Sequence, residues 1–224
     1  MSLNHVKKGS NMYQFCNATW NAIKGKCSHD CSYCYMKRFP QNPIRLDEKE
    51  LKTDLGENNF IFVGSSTDMF ADDVPKEWIF KVLEHCNNYP KNKYLFQTKN
   101  PKRFHYFLHW IPKNSILGIT METNDMINYE KYSKAPLPSW RISEFDKLPE
   151  EIEKMITIEP IIDFEEITFP LWLKKCKPKF INIGADSTRN NLPEPSKEKI
   201  EKLIEELEKF TKVNLKSNLK RLMK

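Results

Sequence analysis

The sequence lacks the long hydrophobic runs of a membrane protein. No apolar stretch approaches the roughly 20 residues that a transmembrane helix requires, and the first residues, MSLNHVKKGSN, lack the apolar segment of a secretory signal. Low-complexity segments and repeats with a period of about 20–50 residues are also absent. We therefore expect a cytoplasmic globular protein that has no membrane partner.

The composition is that of a folded chain and not of a disordered one. Hydrophobic residues make up 39% and charged residues 29% of the 224 positions, which is enough for one sizeable domain. We expect a single domain over residues 15–224, with residues 1–14 as an N-terminal extension or a remnant of cloning. The net charge of +6 suits an anionic substrate or nucleic acid, although solvated surface lysines produce the same excess.

Short runs of branched and aromatic residues alternate with helical patterns along the chain. Strands are predicted at 60–63, 94–96, 116–119, 155–158, 180–183 and 213–215, and another near 19–23. Helices are predicted from Pro75, over 101–110 and 171–176, and after an N-cap at Ser196. This alternation predicts an α/β fold with a parallel sheet. Seven strands favour an open or partial barrel over the closed eight-stranded one, and a doubly wound sheet is the alternative.

Polar side chains follow most of the predicted strands directly. Ser65, Ser66 and Asp68 follow the 60–63 strand, Lys99 follows the 94–96 strand, and Thr120 and Glu122 follow the 116–119 strand. Glu159, Asp186 and Lys216 follow the last three predicted strands in turn. Since parallel strands end on the same edge of a sheet, these groups are predicted to line one pocket. The alternative is that they form helix caps and salt bridges along the rim.

Three of the six cysteines, Cys27, Cys31 and Cys34, lie within eight residues at the spacing C-x3-C-x2-C. In a reducing compartment such a cluster indicates metal or redox chemistry before disulfides. Of the scattered cysteines, Cys86 and Cys176 are predicted to be small core residues. Cys16 stays open as an additional ligand, as does His5, and we expect His29 to be an exposed loop residue.

The number of cysteines bears on the kind of metal. A structural zinc ion needs four ligands, and neither a second C-x2-C pair nor an H-x3-H pair occurs downstream. An iron–sulfur cubane normally takes four cysteines, so three would leave one iron open to a chelating ligand. This favours a catalytic cluster. A non-catalytic zinc or iron–sulfur module that binds nucleic acid remains the alternative.

The loop at 27–34, with Tyr33 before the third cysteine, resembles the signature of radical S-adenosylmethionine enzymes. Further stretches, TWN at 19–21, DMF at 68–70, TKNP at 98–101 and IEP at 158–160, resemble a phage- and prokaryote-associated branch of unassigned substrate, similar in appearance to spore photoproduct lyase-like proteins. The resemblance implies a partial (β/α)6-type TIM barrel and a [4Fe–4S] cluster on the three cysteines. It also implies S-adenosylmethionine on the open iron, cleaved reductively to a 5′-deoxyadenosyl radical that abstracts hydrogen.

The resemblance also implies roles for the polar residues. Residues expected to bind the cofactor are Tyr33, Ser65, Ser66, Asp68, Thr120 and Glu122. Lys99 is the expected partner of the cofactor carboxylate, and Glu159, Asp186 and Lys216 are expected on the substrate side as further catalytic residues. The implied partners are an external electron donor, a genetically linked protein, and a nucleic acid or nucleotide substrate. Trp110, Tyr129, Tyr132 and Trp140 are candidates for base stacking, or else packing residues.

Overall fold

The main sheet and the helices follow the predicted alternation. The computed structural model describes residues 3–127 and 129–224. Its strands are β1 (Asn4–His5), β2 (Ala18–Trp20), β3 (Ile23–Lys24), β4 (Arg45–Leu46), β5 (Phe60–Val63), β6 (Lys93–Thr98), β7 (Ser115–Thr120), β8 (Glu153–Ile158), β9 (Phe180–Ile183) and β10 (Lys212–Leu215). Its α-helices are α1 (Lys76–Asn87), α2 (Lys102–Phe107), α3 (Pro138–Asp146), α4 (Thr168–Lys175) and α5 (Lys197–Glu208).

The main sheet is a partial barrel of parallel strands, as the sequence predicts. Its strand order is β1-β2-β5-β6-β7-β8-β9-β10, and every neighbouring pair from β2 to β10 is parallel. Only β1 is antiparallel to its neighbour. Within the described residues β10 does not pair back to β2, so the barrel is open. The order never reverses, which excludes the doubly wound alternative, because that fold has a switch point in its sheet.

The strands are buried on both faces because their alternate residues pack in two different layers. Ile61 and Val63 of β5 join the large core between the sheet and the helices. Phe62, between them, points to the inside of the barrel, where it packs with Leu95 and Ile116 of the next two strands. These three residues are paired in register across the sheet. The near-continuous apolar runs of the sequence are thus explained.

The helices begin and end close to the predicted signals, with one exception. Pro75 precedes α1, and the Ser196 side chain accepts a hydrogen bond from the backbone of Lys199 at 3.3 Å to cap α5. Helix α3 was not predicted, although Pro138 at its first turn is an ordinary start signal. The predicted strand near 19–23 is split, since Ile23 pairs with Leu46 in a separate small sheet. In the described part of the chain no helix is both long and apolar enough to cross a membrane.

The described residues before position 15, which are predicted to be an extension, pack on the sheet. β1 pairs with β2 at the edge of the sheet. Farther along, Tyr13 and Phe15 stack on each other, with their ring centroids 5.2 Å apart, and pack against Phe62 and Phe180 inside the barrel. The open barrel leaves an apolar interior that these aromatic rings fill. Residues 12–15 therefore contribute to the core.

We expect Tyr13→Ala to lower the free energy of unfolding by about 3–5 kcal/mol, because it leaves a cavity inside the barrel. Tyr13→Phe keeps the ring and removes one hydrogen bond, so its cost is about 1 kcal/mol. Urea unfolding followed by circular dichroism measures both changes. Equal stability of Tyr13→Ala and the wild type would mean that the segment does not contribute to the core.

Candidate active site

The polar strand ends converge on one cavity, as predicted. It has a volume of about 460 Å³ and lies at the carboxyl ends of the parallel strands, the edge where parallel barrels carry their active sites. Twelve of the thirteen predicted site residues line it: Cys27, Cys31, Tyr33, Cys34, Ser65, Ser66, Asp68, Lys99, Thr120, Glu159, Asp186 and Lys216. Glu122 does not line it.

The three cysteines sit on a loop that follows β3 and is built from tight turns. Backbone hydrogen bonds join Asp30 to Cys27 at 3.2 Å and Cys34 to Cys31 at 3.1 Å. The segment around residue 133 holds the loop from the other side: the Ser133 hydroxyl donates to the His29 carbonyl at 3.2 Å and lies 3.1 Å from Cys31 Sγ. The loop is thus fixed at both of its turns.

The donor set of this loop, three thiols on two successive turns, has the chemistry that an iron–sulfur cluster takes. Burial raises the pKa of the Cys27 thiol to about 12 and that of Cys34 above its ordinary value, so the thiols need a bound cation to ionise. In the described residues no three His, Cys, Asp or Glu side chains converge as the ligands of one ion would. The sulfurs of a cluster bind different irons and need not converge. Cys16, a candidate extra ligand, packs inside the barrel instead.

His29 is buried, which corrects the expectation that it is an exposed loop residue. Only 5% of its surface is accessible, and its Nε2 lies 2.8 Å from Asp68 Oδ2. The imidazole therefore ties the cysteine loop to the loop that follows β5. Sequence alone could not find this contact, because nothing local marks a loop histidine as one that has a buried partner.

Asp68 is held by the protein on both of its carboxylate oxygens. Oδ2 accepts hydrogen bonds from the Thr98 hydroxyl and the Lys99 backbone N–H, each at 2.8 Å, in addition to the contact with His29. Oδ1 accepts from the backbone of Phe70 at 2.9 Å. Burial alone would raise the pKa of Asp68, but these donors outweigh it and keep the pKa below its ordinary value. In this structure Asp68 joins three loops of the rim.

Glu122, predicted to reach the ribose of a cofactor, lies in the core behind the cavity wall. Its carboxylate is completely buried and contacts Arg141 at 2.8 Å, Lys99 at 3.0 Å and the Tyr33 hydroxyl. Burial acts to raise the pKa of Glu122, but the two cations lower it to about 2. The carboxylate is therefore ionised and has its partners inside the protein.

This buried cluster positions Tyr33 and Lys99 at the cavity wall. Lys99 Nζ lies 5.2 Å from the centre of the Tyr33 ring, over its face. Arg141 on α3 also donates to the Pro136 carbonyl at 2.8 Å and contacts the Tyr129 hydroxyl. Sequence reasoning missed Arg141. The apolar Ile142 and Phe145 beside it on α3 were the available signal that this stretch is buried.

The loop after β5 offers hydroxyls and carbonyls at the cavity. Gly64 has a φ of 77°, which lets the chain turn sharply after the strand. Asn21 Oδ1 then accepts a hydrogen bond from the Ser66 backbone at 2.9 Å, and its Nδ2 lies 3.1 Å from Ser65 Oγ. The Tyr35 hydroxyl donates to the Ser65 carbonyl at 3.0 Å.

The opposite wall of the cavity carries a second group of charged residues. Lys216 Nζ binds Glu159 Oε2 at 2.5 Å and lies 4.6 Å from the centre of the Tyr13 ring. Asn11 donates to Glu159 Oε1 at 3.0 Å. The carboxylate of Asp186 accepts from Asn190 within its own loop. Asn11 and Tyr13 were missed because they lie in the segment predicted to be an extension.

The aromatic residues of the 110–140 stretch do not share one surface. Tyr129 is buried, with its hydroxyl in the Arg141 cluster, and none of Trp110, Tyr132 and Trp140 lines the cavity. Trp110 is half exposed but packs edge-on against Phe80, with the ring centres 5.0 Å apart. This stretch therefore serves mainly for packing.

A family model described as "Protein of unknown function (DUF5131)" matches residues 10–162. The chain belongs to the DUF5131 family. This DUF5131 protein has no match among curated proteins.

Solved structures with the same fold come from radical S-adenosylmethionine enzymes. A spore photoproduct lyase mutant with bound AdoMet and dinucleoside spore photoproduct superposes with a TM-score of 0.60 at 11% identity, covering 93% of this chain and 66% of the lyase. Streptococcus suis SuiB bound to S-adenosylmethionine superposes with a TM-score of 0.63 at 10% identity, and the match covers 89% of this chain and 50% of SuiB. Native anSMEcpe with bound AdoMet and a Cp18Cys peptide superposes with a TM-score of 0.53 at 13% identity, and the match covers 88% of this chain and 62% of anSMEcpe. The DUF5131 chain thus has their fold and spans one half to two-thirds of their length.

We expect Arg141→Met to destabilise the fold by about 3–5 kcal/mol, because it leaves the Glu122 carboxylate buried with one cation fewer. Urea unfolding measures the change. The matched control is Lys202→Met on α5, whose contact with Glu166 at 3.4 Å is exposed and whose loss should cost less than about 1 kcal/mol. In a double-mutant cycle with Glu122→Gln the two costs should not add, because both changes disrupt the same ion pair while Lys99 keeps a neutral hydrogen-bond partner. Fully additive costs would contradict the role of the ion pair.

Proposed function

We propose that this protein is a radical S-adenosylmethionine enzyme whose cluster is held by Cys27, Cys31 and Cys34. The observation that carries the proposal is the position of the three thiols, which line the same cavity as the polar strand ends. The fold, which the protein shares with enzymes solved with bound AdoMet, supports it. Three cysteines leave the cluster one coordination position for a ligand other than protein.

The bound groups would supply the redox chemistry. A cluster held by Cys27, Cys31 and Cys34 would pass one electron from an external donor to S-adenosylmethionine, and the pair would supply reductive cleavage of the cofactor and removal of one hydrogen atom from the substrate. The protein binds, orients and shields these groups. The ion pairs and hydrogen bonds behind the cavity wall keep its side chains in place during this chemistry.

The residues near the cysteine loop divide into two roles. Tyr33, Ser65, Ser66 and Thr120 present a ring, hydroxyls and backbone atoms to the cavity and are our candidates to contact S-adenosylmethionine. Lys99 also lines the cavity, and its ammonium group can bind the cofactor carboxylate. Glu122 acts behind this layer, and Asp68 lines the cavity but holds the surrounding loops in place, because the oxygens of both carboxylates already accept protein hydrogen bonds.

The opposite wall is our candidate substrate side. Glu159 and Lys216 are partly shielded there, with side-chain exposures of 17% and 12%, so their charges act through little water. Asp186 lies on the same wall but is held by its own loop, and we assign it to shaping that loop. Substrate contacts from Glu159 and Lys216 would orient the carbon that loses hydrogen.

The experiment that tests the proposal is anaerobic reconstitution with iron and sulfide. Dithionite and S-adenosylmethionine are then added, and 5′-deoxyadenosine and methionine are measured by mass spectrometry. We expect both products, and a change in the EPR spectrum of the reduced cluster on addition of S-adenosylmethionine. A fully loaded cluster that gives neither result would contradict the proposal. One zinc ion per chain and no cluster would support a non-catalytic module.

We expect Cys31→Ala to abolish cluster loading and leave the fold largely intact. The Cys31 thiol makes one side-chain hydrogen bond among the described residues, with Ser133, and lies in a small apolar cluster with Ile162 and Leu192, so its loss should cost about 0.5–3 kcal/mol. Iron and sulfide content, the absorbance of the cluster and thermal unfolding of the unloaded protein measure the outcome. Cys86→Ala, in the helix core, is the control that should load normally. Loss of the folded state in Cys31→Ala alone would indicate a structural metal.

A further inference from the structure

A basic segment forms one side of the cavity mouth. The residues from 35 to 45, YMKRFPQNPIR, include three cations and no acid. Tyr35, Lys37, Arg38 and Gln41 of this segment line the cavity that holds the three cysteines. The segment therefore borders the route by which a large substrate reaches the cavity.

A groove continues from the cavity along this segment. A second cavity of about 250 Å³ shares Gly25, Met36, Gln41 and Ser66 with the first and extends to Arg45. Its walls are about half polar, and the polar part includes Asn21, Asn42 and the ion pair of Lys24 with Glu50. The two cavities together make an elongated opening, which suits a chain-like ligand better than an isolated small molecule.

The cations along this groove are in excess. Three lysines surround the single carboxylate of Asp30, with Nζ to oxygen distances of 3.0 Å from Lys37, 3.2 Å from Lys134 and 3.8 Å from Lys26. This one carboxylate is therefore outnumbered by three ammonium groups.

Two guanidinium groups at the two ends of the segment lack a carboxylate partner among the described residues. Arg38 donates only to the Tyr35 carbonyl, at 3.0 Å. Arg45 is exposed on β4. The carboxylate two positions away, Asp47, binds Lys24 at 2.8 Å. Arg38 lines the first cavity and Arg45 the second, and guanidiniums without a carboxylate partner suit the phosphates of a polyanion.

Two exposed aromatic rings belong to the same segment and flank Arg38 in sequence. Tyr35 is 41% and Phe39 50% exposed. The hydroxyl of Tyr35 is fixed on the Ser65 carbonyl, so its ring stays at the edge of the cavity, and the Arg38 guanidinium lies 6.0 Å from the ring centre. Rings beside guanidiniums are the surface on which nucleobases stack.

We infer that the 35–45 segment binds a single strand of nucleic acid and presents one of its nucleotides to the cavity. The inference rests on the proposed function for the chemistry, but the binding itself does not require a cluster. Phosphates contact Arg38 and Arg45, and bases stack on Tyr35 or Phe39. An acidic peptide would satisfy the cations but would leave the rings without a partner, and for this reason we favour the nucleic acid.

The test is fluorescence anisotropy of the full-length protein with labelled single-stranded DNA and, separately, RNA of about 20 nucleotides. The variant Arg38→Gln/Arg45→Gln removes two phosphate contacts, so it should bind several-fold more weakly and reduce the slope of log K against log salt by about 1.4. Its matched control, Lys197→Gln/Lys202→Gln on α5, removes the same charge far from the groove and should keep the wild-type slope. Comparison of the affinities for DNA and for RNA shows which of the two nucleic acids the groove prefers.

A second pair of variants tests the stacking. Phe39→Leu keeps an apolar side chain and should weaken binding about fivefold or more. Tyr106→Leu, at another exposed ring on α2, should have no effect. Iron loading and thermal unfolding of each variant check that the fold is retained.

Three outcomes would overturn the inference. They are absence of oligonucleotide binding at low salt, an equal loss in the α5 control, and equally tight binding of poly-glutamate with the same dependence on Arg38 and Arg45. Oligonucleotide binding with these dependences but without 5′-deoxyadenosine production would instead contradict the proposed function alone.

Discussion

The buried contacts of Lys99 hold the candidate site together. Its backbone N–H donates to Asp68 and its ammonium group binds Glu122, so that one residue at the end of β6 joins two buried carboxylates. Through them it reaches His29 and Tyr33, which belong to the cysteine loop. An irregular loop that must place three thiols has no sheet or helix hydrogen bonds to fix it. Ionic and hydrogen-bonded contacts in a dry environment, where they are strong, supply that restraint.

The same arrangement separates the structural charges from those open to ligands. Glu122 is ionised and completely buried, and Asp68 is ionised and partly buried at the cavity edge; both already accept several contacts from the protein. Loss of Arg141 or Lys99 would leave the Glu122 carboxylate with less compensation. Glu159 and Lys216 are paired with each other on the opposite wall and face the cavity. Arg38 and Arg45 lie farther out, without carboxylate partners among the described residues. From the core to the mouth of the cavity, the charged groups therefore have progressively fewer hydrogen bonds and ion pairs to other protein groups.

Much of this organisation could be predicted from the sequence, because its signals are local. The strand ends and the spacing of Cys27, Cys31 and Cys34 are read within a few residues. The direction in which a side chain at a strand end points could not be predicted, because it depends on partners that are distant in the sequence. Glu122 turns into the core because Arg141, on a helix that was not predicted, meets it there. Asn11 and Tyr13 were missed for the same reason, as their partners come from the far side of the barrel.

The contact between Asn11 and Glu159 has a consequence for how the site forms. It joins residues 148 positions apart, and the contact of Asn11 with Ser187 spans 176 positions. Contacts between residues so far apart in sequence carry a loop-closure cost in entropy. This wall of the cavity therefore forms only when the N-terminal segment meets the residues that follow β8 and β9. A molecule that binds between these walls stabilises the folded chain as a whole, by mass action, and not one loop of it.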